Sequence, residues 1–445
     1  MRFLKENYPL VILLVLVLAT RFLFLSYPAE VVFDEVHFGK FVSAYFTHKY
    51  YFDIHPPLGK LMIAGIANLF GFNPENNFEK IGEAANARIL FSLRFLPALF
   101  GSLFVLVIYK IILVLGGSRR AAFLGGFLIA FDNAFLVESK FVLVDSFLFF
   151  FGFSSLLVFL LSQRQENRFK KHLFYFSSMA LAGLAFSIKW TGLSFLGINL
   201  LFSFFSFLKT INLKRFLKFS AEIFISLALF ALVYVLPFAV HFKLLPLSGP
   251  GDAFMSQGFQ ETLTKGKYLS FGAKFIELNQ KMFAYNANLE KSHPDASRWN
   301  EWPFMRKPVW YWEKNESGKN ANIYLVGNPL VWIPSFIVLF SGIFLMKEKK
   351  WQAFLLLFGF LANFLPFIFV KRAAFVYHYL PALTFAVILF SLWWGKVMEK
   401  RPLGLFLGYL SLVMAGFLIV SPLSYGLPIS AKAAAVYKIL VGLLH

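Results

Sequence analysis

Residues 9–25 read PLVILLVLVLATRFLFL, with hydrocarbon side chains at almost every position. About 20 apolar residues of helix cross a bilayer, so this stretch predicts a membrane span. Directly beyond it the character inverts. Asp34-Glu35-Val36-His37 is followed by His55-Pro56-Pro57-Leu58-Gly59-Lys60, a polar island of two adjacent carboxylates and two histidines. Ionisable groups at membrane depth are costly to keep and tend to be functional. Acid/base chemistry at a membrane face accounts for this group best. Neighbouring residues point different ways in regular structure, so Asp34 and Glu35 are expected to divide their roles. A carboxylate at the lipid edge is partly desolvated, which lifts its pKa toward the range useful to a general base.

Composition extends the reading to the whole chain. The 445 residues are 58% hydrophobic and 20% aromatic, include 61 Phe, and are only 15% charged. A soluble protein carries roughly a quarter charged residues. The surplus apolar surface must face lipid, and the expected class is an all-α polytopic membrane protein. A net charge of +20 raises nucleic acid as a partner, but the placement of the charges argues against it. The basic residues cluster in short connections: Arg119-Arg120, Arg164 to Lys171, Lys209 to Lys218, Lys347 to Lys350, and Lys396 to Arg401. That is the distribution of cytoplasmic loops lying near anionic headgroups. With no cysteine in the chain, disulfides and thiolate metal sites are excluded.

Arg2 and Lys5 before Pro9 resemble the start of a signal peptide, but no small-residue cleavage site follows, so the first run is expected to remain as a helix. Further spans are expected near 94–116, 121–137, 141–162, 173–188, 191–208, 219–240, 329–346, 352–370, 378–395 and 403–421, beside 8–27. About eleven spans place every basic cluster on one side, with the N-terminus inside and the C-terminus outside. Two polar segments then face outward, 28–93 and 241–328. The first contains an amphipathic stretch from Leu58 to Phe70 expected to lie along the membrane surface. The organisation expected is a module 1–240 containing the loop 28–93, the large loop 241–328, and a four-helix module 329–445. No internal repeat appears, which weighs against common transporter architectures.

The polar motifs together resemble one family. Asp-Glu-Val-His-Phe-Gly-Lys at 34–40 and Asp-Ile-His-Pro-Pro-Leu-Gly-Lys at 53–60 look like the first outer loop of the protein O-mannosyltransferases, membrane glycosyltransferases of the GT-C type. The resemblance continues through Arg94-Phe-Leu-Pro-Ala-Leu-Phe-Gly101, Leu143-Val-Asp145-Ser146 and Lys189-Trp190-Thr191-Gly192-Leu193. It resumes at His293-Pro-Asp-Ala-Ser-Arg298-Trp299, Trp302-Pro303, Arg306-Lys-Pro-Val-Trp310-Tyr311 and Gly327-Asn328-Pro329. The motifs run in order over most of the chain.

The resemblance implies a GT-C fold with two large extracytoplasmic loops, and inverting transfer of mannose from a polyprenyl-phosphate mannose to Ser or Thr of exported proteins. Asp34 would be the base and Glu35 would help hold the acceptor. A Ser hydroxyl is a poor nucleophile until a carboxylate takes its proton. The departing lipid phosphate needs cations near the outer surface. Arg94 is the first choice, followed by Lys189, with Arg372 and His378 flanking the tenth span. Arg21 reads as an arginine snorkelling at a helix end. His55 would orient Asp34 or meet the sugar, with Lys60 in the same motif. Asp145, inside an apolar stretch, would serve either a structural ion pair or the site; Lys140 stands where the family often has Arg, which weakens any phosphate role there. His293, Arg298, Trp302 and Arg306 would contribute stacking surfaces and phosphate donors.

No Asp-x-Asp or paired-histidine pattern appears in the outer loops, so neither metal nor cofactor is expected. The second loop is too short for the β-trefoil module of eukaryotic members, which implies a compact bacterial-type enzyme in the inner membrane, with its site facing the periplasm. Three readings compete: a GT-C transferase acting on lipid A or another glycolipid, a lipid-phosphate transporter or flippase, and a non-catalytic scaffold. The transporter reading expects charges along a midplane path, whereas the acids here gather at one face.

Overall fold

The computed structural model describes residues 2–288, 293–316, 318–345 and 350–444. The chain starts with α1 (Arg2–Phe22), then the first polar loop with α2 (Glu35–Thr47) and α3 (Leu58–Leu69), then α4 (Ala87–Val114). Next come α5 (Arg119–Ala130), α6 (Asn133–Lys140), α7 (Asp145–Ser162), α8 (Arg168–Ile188), α9 (Leu193–Leu208) and α10 (Leu213–Leu244). The second polar loop holds α11 (Gln257–Thr264), α12 (Phe271–Asn288), and the strands β1 (Val309–Glu316) and β2 (Lys319–Leu325). α13 (Pro329–Leu345), α14 (Lys350–Phe364), α15 (Leu380–Met398), α16 (Leu403–Tyr425), β3 (Ile429–Ser430) and α17 (Ala431–Leu444) complete it.

Among the described residues, seven helical stretches are long and apolar enough to cross a bilayer, or eight if the bent pair α5–α6 is one span. The expected spans 8–27, 173–188 and 329–346 are also helical, as α1, α8 and α13, but shorter or less apolar. α15 forms the centre. Every residue from Tyr379 to Leu392 is buried, as befits a helix that is apolar all round. Gly395 faces Ala121 with no room for a side chain, which lets α15 and α5 approach closely. α10 lies at the periphery and turns Phe224, Leu232 and Leu236 outward.

One expected span is not continuous. The segment 121–137 breaks after Ala130 with a bend of 60° between α5 and α6. Such a break frees backbone groups that lipid cannot satisfy, so protein groups must do so. Asp132 caps α6 by accepting from the amides of Ala134 at 3.0 Å and Phe135 at 3.2 Å. Its other oxygen accepts from the Asn328 amide at 2.9 Å and the Trp332 indole at 2.8 Å. Arg21 donates to the Ile129 carbonyl at 2.9 Å and to that of Ala130, capping the end of α5. Arg21 is therefore a buried capping group, and the snorkelling expected of it is corrected. The Asn328 side chain donates to Phe131 and Val413 carbonyls, so Gly327-Asn328-Pro329 ties the C-terminal helices to the break.

The helical expectation omitted a three-stranded antiparallel sheet, ordered β1-β2-β3. The β1–β2 register slips between Trp310 and Trp312, leaving Tyr311 as an extra residue. Bulges of this kind re-aim a side chain, and here it is the Tyr311 ring. The basic connections gather at the other end of the bundle: Arg164 donates to Val114, and Gly395, beside the Lys396 to Arg401 cluster, meets Ala121. Of Lys347 to Lys350, only Lys350 lies within the described residues.

Candidate active site

Asp34 and Glu35 sit at the start of α2 and meet opposite fates. Glu35 is completely buried. Arg94 of α4 grips it with two parallel bonds, Nε to Oε1 and Nη2 to Oε2, both 2.7 Å. Glu35 also accepts from the amides of Val32 at 2.9 Å and Val142 at 3.0 Å. The remaining Arg94 donors go to the carbonyls of Leu25, Pro28 and Glu30. All five N–H groups of that guanidinium are thus committed to protein acceptors, and its face lies 5.0 Å from the Phe141 ring. Arg94 has no donor left for a phosphate, and Glu35 has no free edge for an acceptor. The donor-binding role expected of Arg94 and the acceptor-holding role expected of Glu35 give way to a clamp that fixes α2 against α4 and the loop leading into α7.

Asp34 is half-buried and its carboxylate has no hydrogen-bond partner among the described residues. An aspartate preceding a helix ordinarily caps it; Asp34 occupies the N-cap position of α2 without making that bond. Burial raises its pKa from the ordinary carboxylate value, while His37 and Lys189 pull it back and Asp145 and Asp53 add to the rise. Its approach is fixed from behind by Phe33, whose φ of +45° lies in the left-handed region, a strained position that surrounding structure must hold. The Phe33 ring stacks on Tyr311 at 4.1 Å, and its amide donates to the Tyr311 carbonyl at 3.0 Å. The Tyr311 hydroxyl donates in turn to buried Glu138 of α6 at 2.7 Å.

Asp145 begins α7, and Lys189 follows α8; they pair at 2.6 Å. Lys140 ends α6, a separate helix from the one Asp145 begins, and it donates to the Leu23 carbonyl and rests 4.3 Å over Tyr425. Asp145 and Lys189 both line a cavity of about 370 Å³ with Trp190, Asn363, Tyr377 and His378, its other walls mostly apolar. Lys189 lies 5.6 Å over the Tyr377 ring. A second, more polar cavity of about 760 Å³ is lined by His293, Arg298, Trp299, Lys371 and Arg372. Phe367 and Val370 form walls of both, so the cavities adjoin. His55 is held well below its ordinary pKa by burial and by the charges of Lys189, Lys60 and Arg372 with His378. It therefore stays a neutral imidazole within that field.

Asp34, His55, Asp145, Lys189, Arg372 and His378 are thus brought into one neighbourhood, with His293 and Arg298 on the adjoining polar side. Three expected site residues line neither of these two cavities. Lys60 is spent on Asp53 and on the His55 carbonyl at 2.8 Å, both inside the protein. Trp302 is fully buried, its indole donating to Ser297 at 3.0 Å and packing on Phe367. A ring with no exposed face cannot stack on a sugar. Arg306 points outward and donates to the Leu443 carbonyl at 3.3 Å, lining neither cavity. Glu138, Tyr377 and Lys371 were not anticipated. Glu138 had the same signal as Asp145, a carboxylate within an apolar run. Among the described residues no group of three or more His, Asp or Glu is placed to hold a metal ion.

Comparison with known proteins places this geometry. A model described as dolichyl-phosphate-mannose-protein mannosyltransferase matches residues 11–246, and one for the C-terminal four-span region of protein O-mannosyltransferase matches residues 271–441. Protein O-mannosyltransferase 1 of Drosophila melanogaster is 35% identical over 269 residues, covering 57% of this chain and 30% of that protein. The mannosyltransferase 4 of Candida albicans is 34% identical over 270 residues, covering 57% of this chain and 35% of the relative. The chain thus spans about a third of the length of the curated relatives it matches. The Saccharomyces cerevisiae Pmt1-Pmt2 complex bound to the sugar donor shares the fold, with a TM-score of 0.88 at 20% identity over 98% of this chain and 92% of that one. ArnT from Cupriavidus metallidurans aligns more loosely, with a TM-score of 0.56 at 14% identity over 98% of this chain and 73% of that chain. The architecture is that of the GT-C transferases, and the chain belongs to the dolichyl-phosphate-mannose-protein mannosyltransferase family.

Proposed function

We propose that this protein transfers mannose from a polyprenyl-phosphate mannose to Ser or Thr hydroxyls of exported polypeptides, with inversion, using Asp34 as general base. The observation that carries the reading is the contrast at 34–35: Glu35 is fully bonded, while Asp34 stands half-buried, unbonded and raised in pKa, within the field of the Lys189 and Asp145 that line the cavity. An unengaged carboxylate with a raised pKa is suited to take a hydroxyl proton as the oxygen attacks the sugar carbon. The relatives, a protein O-mannosyltransferase in Drosophila melanogaster and a dolichyl-phosphate-mannose–protein mannosyltransferase in Candida albicans, support the substrate classes.

Lys189 is the cation best placed for the leaving phosphate. An ammonium has three donors, and one is engaged, by Asp145. Asp145 holds it in place, leaving two N–H groups for phosphate oxygens as negative charge develops on departure. Arg372, on the wall of the adjoining cavity, extends the positive field, and His378 lines the same cavity as Lys189. The apolar walls Leu148, Leu193, Pro366 and Phe367 suit the first prenyl units of a lipid. The polar cavity with His293, Arg298 and Trp299 suits a peptide carrying the hydroxyl. A periplasm-facing site in a bacterial inner membrane completes the proposal, supported by the basic connections lying at the opposite end of the helices.

The test is transfer of radiolabelled mannose from polyprenyl-phosphate mannose to a Ser/Thr-rich peptide in detergent, with and without chelator, for wild type and Asp34→Asn. Label with wild type alone, unaffected by chelator, supports donor, acceptor and base together. Donor binding without peptide labelling shifts the acceptor to a glycolipid. Absence of donor binding removes the transferase reading.

A further inference from the structure

A strongly basic concavity lies far from the active site. At the N-terminal ends of α8 and α10 and the C-terminal end of α9, a cavity of about 450 Å³ is lined by Lys171, His172, Tyr175, Lys214, Arg215 and Lys218. Lys171 and Ile188 stand at opposite ends of α8, about 26 Å apart at 1.5 Å per residue. Lys189, next after Ile188, borders the active-site cavity, so the basic cavity opens on the opposite membrane face.

Basic side chains on this face ordinarily serve topology and stay solvated. Here they converge on a concave wall instead. One carboxylate, Glu222, faces them, at 3.6 Å from His172 and 3.7 Å from Lys218. Arg215 spends one donor on the Ser206 carbonyl at 2.8 Å. The ammonium groups of Lys171 and Lys214 have no protein partner among the described residues. A second observation is independent of charge. Tyr175 is 7% exposed, lines the cavity, and its hydroxyl has no hydrogen-bond partner. Its neighbours are the hydroxyls of Ser203 and Ser226, whose own protons go to the carbonyls of Asn199 and Glu222, leaving only their lone pairs toward the phenol. No well-formed bond closes on the phenol, and its oxygen keeps acceptor capacity that a ligand or water in the cavity completes.

The surroundings specify the remainder of the ligand. Leu213, Phe216 and Leu217 of α10 alternate with the cavity-lining cations and are exposed, as are Phe169 and Leu173 of α8. A positively charged cup rimmed by lipid-facing apolar side chains matches a molecule with a phosphate head and hydrocarbon tails. We propose that this cavity is a binding site for the phosphate headgroup of an anionic membrane lipid, distinct from the sugar-donor site. It rests on nothing in the transferase reading.

The test uses the full chain in neutral detergent and measures binding of dioctanoyl phosphatidylglycerol by native mass spectrometry. Dioctanoyl phosphatidylcholine and inorganic phosphate serve as alternative probes. Lys171→Gln with Lys214→Gln is expected to weaken phosphatidylglycerol binding about tenfold, the scale of losing charge-assisted phosphate bonds. Tyr175→Phe keeps every charge and is expected to weaken it about threefold, by one neutral hydrogen bond. Arg119→Gln with Arg120→Gln, on basic residues outside the cavity, should leave it unchanged. Phosphate that displaces the lipid from wild type but not from the double variant supports the same headgroup chemistry. Phosphate binding alone, with no lipid bound, overturns the lipid source. Equal binding of the two lipids, or equal loss in the Arg119/Arg120 variant, overturns the site.

Discussion

Two carboxylate–cation pairs stand near each other with opposite designs. Glu35 and Arg94 are sealed: every oxygen and every N–H of the pair has a protein partner and none faces a cavity. Asp145 and Lys189 meet at 2.6 Å on the wall of an open cavity, with ammonium donors unspent. The first arrangement holds a loop in place; the second can exchange partners with a ligand. Saturation, more than burial or charge, separates structure from chemistry here, and Asp34 belongs with the open group.

The sharpest way to break that division is at residues 34 and 35. Asp34→Asn should lower mannose transfer by about 10²–10⁴-fold, the span of general-base contributions, while the protein keeps its donor affinity. Its stability should move the other way. A folded carboxyl with a raised pKa holds its proton more tightly than the unfolded chain does. That stabilisation is full at low pH and is lost as pH rises through the raised value, so ionised Asp34 opposes folding at neutral pH. The Asn variant should therefore melt at or above the wild-type temperature in detergent. A lower melting temperature would put Asp34 on the structural side.

Glu35→Gln should show the reverse. Breaking one side of a buried ion pair costs about 3–5 kcal/mol, so the expected result is a large drop in melting temperature and yield, with activity lost in proportion to folded protein. A well-folded, inactive Glu35→Gln would return the residue to the catalytic group. Lys189→Gln comes next: donor KM should rise about 10–100-fold, for a charged hydrogen bond of about 1.5–3 kcal/mol, with kcat also reduced. The pH profile is a finer probe. Because Asp34 must be ionised to act and burial raises its pKa, the acid limb of kcat/KM should lie above the ordinary value of about 4, and it should vanish from the residual activity of Asp34→Asn. Smallest of all, Arg306→Ala should change stability by no more than about 0.5 kcal/mol, as for other surface positions, and leave donor KM unaltered.

Much of the fold is legible in the amino-acid order alone. Apolar runs mark where the helices lie, because a run of hydrocarbon has nowhere else to go, and the island at 34–37 marks the site because lipid makes charge conspicuous. Partnership is what the order of residues withholds. Arg94 and Lys189 look alike as cations at helix ends, and only three-dimensional packing shows that Leu25, Pro28 and Glu30 have consumed the donors of the first. Trp302 reads as a sugar platform or a membrane belt, and becomes a core residue once Ser297 and Phe367 close over it. The break after Ala130 escapes notice because periodicity cannot reveal a helix whose ends are capped by Arg21 and Asn328 from distant segments. The hairpin hides because its bulge at Tyr311 disrupts the alternation by which a strand is read.

The Tyr311–Glu138 bond also bears on how the protein is made. Asp34 leaves the ribosome early, yet the residue that props Phe33 behind it is Tyr311, and the cavity walls Tyr377 and His378 follow later still. Until then Glu138 lies among apolar helices without its hydroxyl partner, and Asp132 waits for Asn328. Synthesis therefore delivers an early half whose polar groups are unfinished, and the second polar loop, from β1 to the start of α13, completes them. A chain cut short before residue 311 therefore carries its carboxylates to the membrane without the partners that surround them in the fold.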